Sequence, residues 1–293
     1  MTLSVRVSMG GGAGYCLPQM VRPEGKVAIV TGASRGIGGG IAIGLGEAGW
    51  TVYVTSRTAR DGDSDRPGSV TTTAGEVTKS GGRGLAVRCD HRIDTETEAV
   101  FRRANEEQGW LDLLVNNATS YSTDAGPKED APFWALPLDE WDQMHAVGLR
   151  SHFVASIFAA RIMVPQKSGL IVNVSSAGAI QYTGNVSYNV VKAAVDMLTL
   201  STAHELREHG VAVVSLWPRL TRTEGVRAHP ELYPDLSKAW SPEFNGRAVA
   251  ALAADPRVIE KTGQALEIGD VAAEYGITDF DGRRPPVRPR RSS

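Results

Sequence analysis

Short apolar runs alternate with longer stretches of helical periodicity along most of this chain, and the alternation predicts its architecture. The runs KVAIV (26–30), TVYVTS (51–56), LAVRC (85–89), LDLLVNNA (111–118), LIVNVSS (170–176) and VAVVSLW (211–217) read as strands. Helical patterns fall at 36–49, 95–108, 139–164 and 188–208. In the first of these Ile37, Ile41 and Leu45 recur every four residues and form one apolar face. Gly39, Gly40, Gly44 and Gly46 interrupt it at about 1 kcal/mol each relative to alanine, a cost that close packing on the sheet is expected to offset. Strands this rich in Val, Ile and Leu suit a parallel sheet covered on both faces, and right-handed crossovers then give a doubly wound α/β fold. Ligands in such folds bind beyond the carboxyl ends of the strands, so the residues that follow each run carry the functional information.

Composition narrows the picture. A chain of 293 residues, 42% hydrophobic and 22% charged, can bury one sizeable core, expected over 23–285. A net charge of −2 gives no basic field for nucleic acid. Two cysteines, Cys16 and Cys89, make no disulfide framework and suit a reducing, cytoplasmic setting. No uninterrupted apolar run approaches the roughly 20 residues of a membrane span. Residues 1–22, with their GGGAG run, and the Pro- and Arg-rich 286–293 are expected to be a disordered leader and tail. The irregular stretch 220–244, with Tyr233, Trp240 and several prolines, is expected to form a substrate lid.

The first strand is followed by TGASRGIG, whose Gly32, Ser34, Arg35, Gly36, Ile37 and Gly38 form a tight turn that presents backbone amides and a helix N-terminus to a pyrophosphate. The second strand ends in Arg57 with no acidic residue beside it. Together with Arg35, Arg57 can clamp a ribose 2′-phosphate, which favours NADP(H) over NAD(H). Asp90, after the third strand, either accepts from an adenine amino group or caps the next helix. Asn116 and Asn117 close the fourth, as cofactor contacts or as ties between strands.

Tyr188 and Lys192 are four residues apart on one helical face. A phenol of pKa about 10 is a poor acid at neutral pH, and a neighbouring ammonium lowers that barrier by favouring the phenolate. Upstream, Ser175 or Ser176 can donate to a carbonyl oxygen as negative charge develops on it. His204, Glu205 and His209 resemble a zinc motif, but the histidines are five apart and do not share a helix face, so no metal site is expected.

In this order, TGASRGIG, NNA, a serine at the fifth strand end and YxxxK resemble the short-chain dehydrogenase/reductase family over about 25–282. The resemblance implies a mostly parallel seven-stranded Rossmann sheet, a nicotinamide cofactor, a small carbonyl or alcohol substrate and a homodimer or homotetramer. It implies Ser176, Tyr188 and Lys192 as the catalytic set, with Pro218 and Thr223 near the nicotinamide. Two positions depart from the pattern. Gly148 stands where many members have an asparagine that holds a water in a proton relay behind the lysine, and Arg219 stands where a glycine usually passes the nicotinamide. These departures motivate the alternative of a cofactor-binding scaffold without turnover.

Overall fold

All six apolar runs become strands of one parallel sheet in the computed structural model, which describes residues 25–120, 132–233 and 235–285. The expected leader and tail lie outside the described residues. The strands are β1 (Val27–Thr31), β2 (Thr51–Ser56), β3 (Arg83–Arg88), β4 (Leu113–Asn116), β5 (Gly169–Val174) and β6 (Val211–Trp217). A seventh, β7 (Ala265–Glu267), completes the order β3-β2-β1-β4-β5-β6-β7. Its three residues are too few to show a period in the sequence. The order reverses between β1 and β4, which opens a crevice at the carboxyl ends of those strands, where doubly wound folds bind ligands.

Both faces of the sheet are buried. One packs Val30, Val52, Val115, Val172 and Val214 against α1 (Gly36–Glu47), α2 (Val70–Lys79), α8 (Pro242–Ala254) and α9 (Ile268–Glu274). The other packs Ile29, Tyr53, Leu114, Ile171 and Val213 against α3 (Asp94–Gln108), α5 (Ser151–Gln166) and α6 (Val186–Leu206). Two glycines of α1 serve a different neighbour from the one expected. A Cβ on Gly40 would lie 2.1 Å from the carbonyl carbon of Pro242, and one on Gly44 would lie 2.6 Å from that of Gly246, so these glycines seat α8 rather than the sheet.

The long helix expected at 139–164 is segmented. It consists of α4 (Leu138–His145), one wide π turn (Ala146–Arg150) and α5. This continuous unit, Leu138–Gln166, is apolar and long enough to cross a bilayer by composition, yet it packs into the domain against β4, β5 and α6.

The base of the expected lid is laced to residues 279–283. Arg222 N donates to Trp240 O (2.8 Å), and Asp279 accepts from Ser241 N (3.0 Å). Arg283 donates to Ala239 O (2.9 Å) and lies over the Trp240 ring. Trp240 is itself buried and stacks on Phe244, a core position rather than a pocket wall. Between these anchors the segment carries the short α7 (Glu224–Ala228).

Candidate active site

The Gly-rich turn is shaped by close approach. Gly32 has φ +63°, and a Cβ there would sit 2.7 Å from Cα of Ala118. A Cβ on Gly38 would meet the Asn117 amide at 2.3 Å. Asn117 Nδ2 donates to the carbonyls of Thr31 and Gly32 (3.0 Å each), and Thr31 Oγ1 accepts from the amides of Asn117 and Ala118. Asn117 therefore ties the turn to β4. Asn116 corrects an expectation: it is fully buried, and its amide donates to Asn173 Oδ1 (2.9 Å) and Ser156 Oγ (3.0 Å), tying β4 to β5 and α5 rather than facing the cleft.

Ser34 is buried in the turn, Ile37 packs on the core, and the Gly36 amide opens α1. That amide donates to the carboxylate of Glu224 (2.9 Å), while the Thr223 methyl lies 3.7 Å from where a Gly36 Cβ would be. Sequence reasoning missed Glu224. The turn thus holds an anionic oxygen at the helix N-terminus, and Gly32 and Gly38 let it close tightly against Ala118 and Asn117, so the residues present fit a pyrophosphate.

At the end of β2, Arg57 is exposed and close enough to Asp90 to help lower that carboxyl's pKa. Arg35 is not a second open prong. Its Nη2 donates to Gly68 O (2.7 Å) and Thr58 Oγ1 (3.2 Å), holding the loop after β2. Asp90 is largely buried and chelated by Arg92 (2.6 Å), whose hydrogen bonds are the main cause of its lowered pKa. Nor does it cap the following helix: Asp90 Oδ1 accepts from Arg92 N, and α3 begins at Asp94. Beneath these groups His91, also missed, bonds Thr55 Oγ1 (2.7 Å), and burial lowers its pKa to about 4. Cys89 is buried beside it, and its thiol is pushed up to about 12.

Tyr188 and Lys192 stand in the first turns of α6. Asn185 caps this helix by accepting from Tyr188 N (2.8 Å), and its own amide donates to the buried Glu140 (2.9 Å). Lys192 Nζ donates to Val174 O (2.9 Å) and lies 5.5 Å from the centre of the Tyr188 ring. Burial lowers the Lys192 pKa to about 8, against the opposing charge of Asp196, so the ammonium is the main form at neutral pH.

The two serines separate clearly. Ser175 is buried and donates to Lys192 O (3.1 Å). Ser176 is partly exposed and accepts from Gly178 N (3.0 Å). A Cβ on Gly178 would be 2.8 Å from Cε1 of Tyr188 and 2.9 Å from Oγ of Ser176, so the phenol ring and the Ser176 hydroxyl flank this glycine. Asn189, a third missed residue, holds the loop by donating to Gly178 O and Gln181 O (2.6 Å).

Pro218 leaves β6 partly exposed, and Thr223 caps α7. Arg219 neither crowds the cleft nor awaits an acidic ligand. It pairs with Glu267 at the end of β7 (2.8 Å) and lies over Gly269.

A family model described as short chain dehydrogenase matches residues 26–232. The chain is 44% identical over 283 residues to dehydrogenase/reductase SDR family member 1 of Mus musculus, covering 92% of this chain and 87% of that protein. Among solved structures, a short-chain type dehydrogenase/reductase from Mycobacterium marinum superposes with a TM-score of 0.71 at 28% identity, over 83% of this chain and 93% of that one. A metagenomic short-chain oxidoreductase in complex with NADP superposes with a TM-score of 0.66 at 28% identity, over 83% and 95%.

Proposed function

The chain belongs to the short-chain dehydrogenase family, and from that premise we propose that it moves a hydride between NADP(H) and a ketone or aldehyde, or the corresponding alcohol. One observation carries the chemistry. The Ser176 hydroxyl and Tyr188 ring flank Gly178, with the Lys192 ammonium beside the phenol, at the carboxyl end of β5.

The glycine turn, with the Gly36 amide, would hold the pyrophosphate, and Pro218 and Thr223 would lie along the nicotinamide. Bound there, the cofactor supplies or accepts the hydride. Ser176 orients the substrate oxygen and stabilises its developing negative charge. Tyr188 then gives that oxygen a proton, and Lys192 lowers the cost of the phenolate left behind. In the oxidative direction the same groups take the proton away.

The preference for NADP rests on exposed Arg57 at the end of β2 and on Asp90 being engaged by Arg92. The NADP complex of a solved relative agrees with it. Arg35 shapes the loop beneath that phosphate. Exposed Phe153 on α5 and exposed Met197 and Leu200 on α6 support a homo-oligomeric interface, and the segment 220–244 is read as the substrate lid.

The deciding experiment titrates NADPH and NADH by cofactor fluorescence, then screens carbonyl compounds with wild type and Tyr188→Phe. Tighter NADPH binding that Arg57→Ala abolishes, and turnover that Tyr188→Phe removes, are expected. Cofactor binding with no Tyr188-dependent turnover on any substrate would make the chain a scaffold.

A further inference from the structure

Trp217 ends β6, and the residue after it is Pro218, which is proposed to lie along the nicotinamide. The indole of Trp217 is tied to the helix of the catalytic pair. Its Nε1 donates to the Asp196 carboxylate on α6, at 3.1 Å to Oδ2 and 3.3 Å to Oδ1. Ser215, two residues earlier on the same face of β6, donates its hydroxyl to Asp196 Oδ1 at 2.5 Å. Ser215 is buried and Asp196 is half-buried. Hydrogen bonds to an ionised carboxylate are shorter and roughly twice as strong as neutral ones, so this fork is a firm joint between a strand end and a helix.

Asp196 is one helical turn past Lys192 and two past Tyr188, on the same side of α6. Toward β5 the helix is held separately, by Ser175 Oγ donating to Lys192 O (3.1 Å) and by Lys192 Nζ donating to Val174 O (2.9 Å). On the far side of Pro218, Arg219 is paired with Glu267 at the end of the edge strand β7 (2.8 Å). Pro218 therefore sits between two residues with anchored side chains, one fixed to α6 and one to the sheet edge. Hydride transfer depends steeply on the gap between the two carbons, and a shift of about 1 Å caused by a distant change can cost on the order of 100-fold in rate. The fork joins the two elements whose separation sets that gap.

We infer that Asp196 is a positioning residue for hydride transfer: by holding Trp217 and Ser215 it fixes the nicotinamide shelf at Pro218 against the helix that carries Tyr188 and Lys192. Asp196 acts through Trp217 and not on the reacting atoms. The inference rests on the reading of Tyr188 as proton donor and of Pro218 as the nicotinamide contact. The charge of Asp196 also opposes the burial that lowers the Lys192 pKa, so the test has to separate position from charge.

Three variants make that separation. Asp196→Ala removes the acceptor oxygens, Trp217→Phe removes the indole N–H but keeps an aromatic ring, and Asp196→Asn keeps an acceptor oxygen without the charge. In the cofactor-free protein the Trp217 indole N–H, identified by its loss in Trp217→Phe, should exchange with deuterium about 10-fold faster in Asp196→Ala, as expected for loss of a bond to a charged group, and close to the wild-type rate in Asp196→Asn. In single turnovers of NADPH with a carbonyl compound that the wild type reduces, Asp196→Ala and Trp217→Phe should each slow NADPH oxidation about 10-fold while the Kd for NADPH stays within about twofold. Both remove one joint, so the double variant should be no slower than either alone, and Asp196→Asn should recover most of the rate. If Asp196→Ala fails to fold, Trp217→Phe and Asp196→Asn decide. Equal losses in Asp196→Asn and Asp196→Ala would assign the effect to charge and overturn positioning, as would additive losses in the double variant. Wild type that turns over through Tyr188 while the variants keep its single-turnover rate overturns this inference alone. Wild type with no Tyr188-dependent turnover overturns the reading beneath it, and with it any hydride transfer to position.

Discussion

Glu224 occupies the amide that a pyrophosphate would need, so replacing it should tighten cofactor binding. Its carboxylate accepts from Gly36 N at 2.9 Å, at the N-terminus of the 12-residue α1. A carboxylate in that position on an exposed helix end stabilises by about 1 kcal/mol, from the unpaired amide and the helix dipole. Cofactor must displace it, and 1.4 kcal/mol is tenfold in affinity, so Glu224→Ala and Glu224→Gln should each lower the Kd for NADPH by about fivefold. The comparison is a fluorescence titration of both variants and wild type at low ionic strength, repeated in 1 M salt. There the Debye length falls to about 3 Å, and the ratio between variant and wild type should shrink. Equal or weaker binding by both variants would refute the displacement argument and make Glu224 a residue that supports the bound state.

The seat between α1 and α8 gives a pair of opposite outcomes. Gly40→Ala gains helix propensity but drives a methyl group into the Pro242 backbone, for a net loss of about 2 kcal/mol, whereas Gly75→Ala in α2 meets open space and should gain about 1 kcal/mol. Thermal melts should therefore move in opposite directions, with Gly40→Ala falling further. His91, held neutral with a pKa of about 4, binds no proton in the fold at pH 5, while the unfolded chain, with a pKa near 6.5, does. Stability is thus lost as pH falls from about 6.5 toward 4, by about 2 kcal/mol at pH 5 from this group. Urea unfolding at pH 7 and pH 5 checks this, and no drop in unfolding free energy would refute it. Under the proposed homo-oligomer, exposed Leu200 on α6 lies at the interface, so Leu200→Glu should reduce the mass measured by light scattering; an unchanged mass would remove α6 from that interface.

Local pattern was enough to place six strands, the glycine turn and the Tyr188–Lys192 pair, because each depends on a period or spacing within a few residues. The order of the motifs also carried the resemblance to the family that the family model and the relatives show, since a turn that cradles phosphate and a helix that pairs a phenol with an amine need particular residues at particular offsets. What tertiary structure decided was the partner of each side chain. Asn116 and Asn117 are neighbours of one type, yet strand alternation buries the first between β4, β5 and α5 and turns the second to the glycine loop. Ser175 and Ser176 divide in the same way, one against Lys192 O and one toward Tyr188. Arg35 and Arg219 each found a distant partner within the chain that spacing could not announce. Glu224 is 188 residues from the amide it caps. Such pairings follow from how strands and helices stack, which no local window of sequence contains.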